Sequence, residues 1–323
     1  MLMKKLKIAT ATAALVATVV GFPRGLWAAN FDEMYVFGDS LSDVGNVFDI
    51  TNAVTPPSPP YFRGRYSDGP VWVEYLAPKL GLTSNPDTNF AFGGATTGGS
   101  KGTSSGLLAQ IKRFTATNSS ANPNALYIVW AGVNDYLSGA TDSTTPINNL
   151  ATAVKSLLAV GAKNIVVVNL PDLGELPATR TSQRSDSLNE LTKEHNSGLA
   201  ASVNNLRQEL SSDIKIIYLD VNSRFNQVID APEKFGFTDV TNPCVSNESI
   251  CDRPNEYLFW DDIHPTTAAH KLFVELAFSE LKPAPKLSPV SLADFTVPLS
   301  MFIFGALGAG LILRRKKATS KRL

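Results

Sequence analysis

Short apolar runs at residues 34–37, 89–92, 126–130, 164–169 and 214–219 alternate with longer amphipathic stretches, and this alternation limits the fold more than any other feature of the chain. Most of the runs are apolar almost throughout, so strands formed from them must be covered on both faces. The stretches at 71–79, 107–115, 147–160, 184–210 and 266–281 read as the covering helices. The expectation is an α/β body over residues 30–282, with a five-stranded parallel sheet and helices on both sides. Four prolines between Pro56 and Pro60 require an extended loop, and no internal repeat interrupts the pattern.

The two ends of the chain read as addresses. Lys4, Lys5 and Lys7 precede an apolar, alanine-rich stretch that runs out at Trp27-Ala28-Ala29, so residues 1–29 are expected to be a signal peptide. Residues 283–296, with Pro283, Pro285 and Pro289, read as a linker. Residues 297–313 carry no charge and are followed by Arg314, Arg315, Lys316 and Lys317, the pattern of a transmembrane stop-transfer segment. The body is therefore expected outside the cytoplasmic membrane, anchored or released. Four of the 29 basic residues lie before Asn30 and six after Leu313, which leaves 19 against all 29 acidic residues between. Such a surface repels phosphate backbones, and no nucleic-acid partner is expected. Cys244 and Cys251 suit a disulfide closing a loop of eight residues in an exported protein, with a pair of free thiols as the alternative. Two cysteines without a histidine in the loop do not make a zinc site, and no metal is expected.

Chemistry concentrates at strand ends, where open parallel sheets bind their ligands. The first run leads into Gly38-Asp39-Ser40-Leu41-Ser42-Asp43, which puts a serine hydroxyl in the turn; it is not a GxSxG elbow, since Ser42 occupies the last position. The second leads into Gly93-Gly94, where a backbone N–H is open to a ligand, and the third into Gly132-Val133-Asn134-Asp135, where an amide is available. A hydroxyl and two donors at successive strand ends suit acyl transfer, which further needs a base and an orienting carboxylate. The segment Trp260-Asp261-Asp262-Ile263-His264-Pro265 offers both, because one turn brings Asp261 to Nδ1 of His264 and leaves Nε2 for Ser40. Pro265 is expected to start the last helix. His195 and His270 read as surface or packing residues, and Asp262 as a turn residue. No GxGxxG or GxxxxGK[ST] segment occurs, so no cofactor is expected.

These blocks, in this order, resemble the GDSL, or SGNH, family of esterases and lipases over nearly all of residues 31–281. The resemblance implies a three-layer α/β/α sandwich with a five-stranded, flavodoxin-like parallel sheet and metal-free ester hydrolysis. Mapped onto this chain it makes Ser40 the nucleophile, His264 the general base and Asp261 its orienting carboxylate. The oxyanion donors would be the Ser40 N–H, the Gly94 N–H and the Asn134 side chain, with Gly93 the alternative to Gly94. The loop Gly64-Arg65-Tyr66-Ser67-Asp68-Gly69-Pro70-Val71-Trp72 resembles the subgroup of secreted phospholipases and haemolysin-like esterases. Phe62, Tyr66 and Trp72 are expected to add aromatic surface near the site. The implied substrate is an acyl ester, lipid or acylated glycan; a polysaccharide O-acetylesterase and a non-catalytic surface binding protein are the alternatives. The C-terminal end is similar to a PEP-CTERM sorting signal, although its proline motif reads Thr296-Val297-Pro298-Leu299 without the Glu-Pro of that family. That likeness implies exosortase-type processing.

Overall fold

Strand residues of both parities are buried because each parity meets its own helical layer. In the computed structural model, which describes residues 31–100, 105–246 and 249–281, four strands pair in parallel in the order β1 (Met34–Gly38), β2 (Leu126–Trp130), β3 (Asn164–Val168) and β4 (Lys215–Leu219). The expected signal peptide (1–29), linker (283–296) and apolar tail (297–323) lie outside the described residues. The helices in chain order are α1 (Asn46–Ile50), α2 (Trp72–Lys79), α3 (Leu107–Thr117), α4 (Val133–Leu137), α5 (Thr144–Ala159), α6 (Ser185–Glu209), α7 (Val221–Asp230) and α8 (Thr267–Leu281). Val36, Ile128, Trp130 and Val166 pack on α2, α7 and α8 through Trp72, Phe225 and Phe273. Their neighbours Phe37, Tyr127, Val129 and Val167 pack on α3, α5 and α6 through Ile111, Leu157 and Leu199. A large side chain buried in this way contributes roughly 1.5–3 kcal/mol, which fixes the register from both sides. No helix among the described residues is long and apolar enough to cross a membrane.

The fifth expected strand, 89–92, is an irregular edge rather than a regular strand. Phe90 N–H donates to Val36 O at 2.7 Å and Phe92 N–H to Gly38 O at 3.0 Å, so the run lies along β1. Regular pairing goes no further because the chain turns at Gly93-Gly94; the outward-facing Ala91 N–H is taken by the Asn89 side chain (3.0 Å). Its outer carbonyls are still satisfied: Asn46 Nδ2 donates to Asn89 O and Ala91 O at 2.9 and 2.8 Å. The spatial order is thus edge run, β1, β2, β3, β4, with the chain reversing direction across the sheet beside β1. Ser40, after β1, and Asn134, after β2, sit astride that reversal.

Beyond the short helices α1 and α4, two larger features were not expected. Helix α7 carries Val221, Phe225 and Val228 at helical spacing, and Asp220 Oδ1 accepts the Ser223 N–H at 3.0 Å at its start. A separate two-stranded sheet, β5 (Asp239–Pro243) with β6 (Tyr257–Phe259), leads into the Asp261 segment. β5 is too polar, and β6 at three residues too short, to show an apolar alternation.

Candidate active site

Gly38 ends β1 where a Cβ would lie 2.3 Å from Trp130 O, so only glycine allows the two strands to run this close. The chain then turns tightly. Ser42 and Asp43 N–H both donate to Asp39 O, Leu41 N–H donates to Asp39 Oδ1, and Ser40 within the turn is buried. Ser40 Oγ lies 2.8 Å from His264 Nε2, and His264 Nδ1 lies 2.7 Å from Asp261 Oδ2 and 2.9 Å from Oδ1. With the proton on Nδ1, Nε2 is free to accept the Ser40 proton. The structure therefore brings together the three residues that sequence spacing singled out.

His264 is held by a hairpin rather than by a helix start. Trp260 N–H donates to His264 O at 2.7 Å and Thr266 N–H to Leu258 O at 3.0 Å, while Phe259 and Pro265 form an antiparallel bridge. Pro265 thus belongs to the hairpin, and α8 starts at Thr267, not at Pro265 as expected; Thr266 Oγ1 accepts the Ala269 N–H. Asp261 Oδ1 also accepts the N–H groups of Ile263 and His264 at 2.8 and 2.6 Å. Desolvation would raise the Asp261 carboxyl, but His264, these N–H bonds and the Tyr61 hydroxyl outweigh it and hold the group down to about 2. The carboxylate is therefore ionised at neutral pH.

The 64–72 loop braces that hairpin. Ser67 Oγ donates to Pro265 O at 2.9 Å, Asp68 Oδ1 accepts the Thr267 N–H at 2.7 Å, and Thr267 Oγ1 donates to Pro70 O at 2.9 Å. Arg65 reaches across the loop to Glu74 with two hydrogen bonds, 2.7 and 3.2 Å. Of the aromatics expected near the site, Tyr66 is there, its ring centroid 5.0 Å from that of His264. Phe62 lies under the Arg63 guanidinium at 5.4 Å, on the same stretch of chain. Trp72 is not at the surface: it is fully buried edge-on to Trp130, with Nε1 donating to Ser42 Oγ at 3.0 Å. The disulfide Cys244–Cys251 adds support from below, since Cys244 and Val245 N–H donate to Phe259 O and Trp260 O.

The donor corner resolves the choice between the two glycines. Gly93 N–H donates to Asp43 Oδ2 at 2.8 Å and is spent, whereas Gly94 N–H has no hydrogen-bond partner among the described residues. Gly94 has φ +77° in a turn closed by Ala95 N–H on Phe92 O, a conformation that favours glycine. A Cβ on Gly93 would strike the Tyr66 ring at 2.4 Å. Asn134 Nδ2 donates one hydrogen to Ala95 O at 3.0 Å, which leaves its second for a ligand.

Two carboxylates that the motif reading passed over hold this corner together. Asp43 accepts N–H groups from Gly45, Asn46 and Val47 as well as from Gly93, tying the serine turn to the glycine turn. Asp135 accepts the Thr97 N–H and hydroxyl at 2.8 and 2.7 Å, tying α4 to the residues just after Gly94. Burial raises both carboxyls above the usual range while these bonds oppose it. The only sequence trace of either was an Asp inside a motif, with its partner 50 or 38 residues away.

His195 and His270 are both fully buried, so packing is their place rather than the surface. His195 Nδ1 meets the Tyr136 hydroxyl at 2.8 Å, and burial lowers it to about 4 and His270 to about 3. Asp262 is exposed in the hairpin. Among the described residues no three His, Cys, Asp or Glu side chains are grouped to hold a metal.

Asp39 is buried with no donor to Oδ2 among the described residues, and desolvation pushes its carboxyl up to about 7 against the pull of the Leu41 N–H and His264. The unfolded chain releases this proton near pH 4, so the stability tied to it is full below ~4 and is lost as pH rises through about 7. Asp39→Asn, which keeps the acceptor for Leu41, is expected to unfold at higher urea than the parent at pH 8 and at the same urea near pH 4. Equal midpoints at pH 8 would contradict this.

A narrow, mostly apolar pocket opens beside Ser40, Asn134 and His264, walled by Leu173, Leu176, Phe225, Phe259, Ile263 and Phe273.

Comparison with known proteins places the whole body. A family model described as GDSL-like Lipase/Acylhydrolase matches residues 34–277. The phosphatidylcholine-sterol acyltransferase of Aeromonas hydrophila is 28% identical, over 76% of this chain and 89% of that protein. The thermolabile hemolysin of Vibrio parahaemolyticus is 27% identical over 76% of this chain, which spans 62% of that relative. Among solved structures, a member of the lipolytic G-D-S-L family from Veillonella parvula aligns with TM-score 0.48 at 18% identity, covering 76% of this chain and 96% of that one.

Proposed function

We propose that this chain, which belongs to the GDSL-like lipase/acylhydrolase family, cleaves carboxylic esters of apolar acyl chains through an acyl-enzyme on Ser40. It is a serine ester hydrolase. In the proposed reaction Ser40 Oγ attacks the ester carbonyl carbon as its proton passes to His264 Nε2, and Asp261 stabilises the imidazolium. The carbonyl oxygen, now negative, takes hydrogen bonds from Ser40 N–H, Gly94 N–H and Asn134 Nδ2. Collapse breaks the ester C–O bond, and the leaving alkoxide takes the proton from His264. Water then gives a proton to His264 and attacks the acyl carbon; Ser40 leaves and recovers the proton, and the acid departs.

The apolar pocket beside Ser40 carries the choice of acyl group. Its free space is only about 30 Å³, so longer acyl chains enter as its apolar side chains move aside, and each methylene then buried adds about 0.8 kcal/mol. For the full chain, kcat/KM on p-nitrophenyl esters is therefore expected to climb from acetyl to medium chains. A preference for acetyl would instead support an esterase acting on acetylated glycan. Placement in the phospholipase and haemolysin-like subgroup is supported by the 64–72 loop, whose residues brace the His264 hairpin. Export, with residues 1–29 as the signal, and anchoring or exosortase-type processing of residues 297–323 belong to the same proposal; the disulfide suits that compartment.

A further inference from the structure

The proline-rich loop reaches the reacting groups through one side chain. Tyr61, 200 residues before Asp261, donates its phenolic hydrogen to Asp261 Oδ2 at 2.7 Å. That oxygen is also the nearer of the two that face His264 Nδ1. The other oxygen, Oδ1, is held by the backbone of Ile263 and His264. The Tyr61 ring stands edge-on to Trp260 at 6.3 Å and to Tyr66 at 6.4 Å, so the phenol is fixed from two sides. Burial and the charge of Asp261 raise the Tyr61 hydroxyl well above its ordinary range, and it remains a donor at every pH at which the protein works.

We propose that Tyr61 is a positioning residue that tunes the base: its phenol holds the Asp261 carboxylate against His264 and draws off part of the charge the imidazole would otherwise meet. This rests on the hydrolase reading above. Without the phenolic hydrogen, Oδ2 turns its full charge on Nδ1–H, the protonated imidazole is favoured, and the base is lost to protons at a higher pH. The other titratable groups facing the dyad are Asp262 on its own hairpin, Asp39 from the serine turn, His270 from α8, and Tyr66 with Asp43 behind it. Tyr61→Phe leaves all of these residues in place.

The test is the pH profile of kcat/KM for the full chain on p-nitrophenyl butyrate, with Tyr61→Phe and Tyr61→Leu beside the parent. Tyr61→Phe keeps the contacts to Trp260 and Tyr66. Its acid limb is expected to move up by roughly 0.5 to 1 in pH, which is a 3- to 10-fold loss on the limb and much less on the plateau. Tyr61→Leu should show the same displacement with a lower melting temperature as well. A purely structural tyrosine predicts a Phe variant whose profile superposes on the parent's; that result, or a limb displaced to lower pH, would overturn the inference. Failure of the hydrolase reading is seen separately, as a folded parent that turns over no ester or as turnover that survives Ser40→Ala whatever Tyr61 does.

Discussion

Ser40→Ala is expected to lower kcat for a p-nitrophenyl ester by about 10⁴- to 10⁶-fold while the protein folds as before. Ser40 Oγ makes one described hydrogen bond, to His264 Nε2, so its removal leaves no buried donor without a partner. Asp261 continues to hold His264 by Nδ1 and by the backbone. What remains is the contribution of the donor corner and the pocket, acting on a water in place of the hydroxyl. Steady-state rates at saturating ester, beside far-UV and thermal unfolding curves, separate lost chemistry from lost structure. A loss under tenfold would move the nucleophile elsewhere.

Asn134→Ala is the second large effect, about 10²- to 10³-fold in kcat with KM little changed, or roughly 2.7–4 kcal/mol of transition-state stabilisation. The free hydrogen of Nδ2 is positioned for a charge that exists only during the reaction, so the loss falls on turnover rather than on ground-state binding. Its other hydrogen bonds Ala95 O, and losing that link costs about 1 kcal/mol of stability. Urea unfolding reads this smaller term independently. If KM rose tenfold with kcat intact, Asn134 would be a binding residue for the ground state instead.

Which residues carry these effects was legible in the chain because each is announced locally. A serine at the end of an apolar run, an asparagine one turn past another, and Asp261 three positions before His264 are short-range patterns, and the fold brings them together as the spacing suggested. The groups that hold them in place left no such trace. Asp43 meets Gly93, Asp135 meets Thr97 and Tyr61 meets Asp261 across 50, 38 and 200 residues, and no spacing rule reaches so far. Gly93 and Gly94 are indistinguishable in sequence, and only the Asp43 carboxylate decides between them.

The same contrast runs through the fold. The parallel sheet and its five expected helices follow from apolar periodicity, which reports burial directly. Helix α7 carried that signal too, in Val221, Phe225 and Val228, but the polar residues between them let the segment read as easily as a loop. The run 89–92 looks like a strand by composition, yet only Phe90 and Phe92 bond β1 before the chain turns at Gly93-Gly94. Trp72, expected near the site, is drawn into the core because α2 buries Trp72, Val73, Leu76 and Ala77 together.

The central claim is a covalent acyl-enzyme on Ser40, and the most direct measurement is the mass of the full chain and its tryptic peptides after reaction with a phosphonate ester that traps serine nucleophiles. One phosphonyl group per chain on the peptide containing Ser40, with activity lost in proportion and no label in Ser40→Ala, is the expected result. Complete loss of label from Ser40 in a preparation that still turns over ester, or stoichiometric label on another residue, would contradict the account.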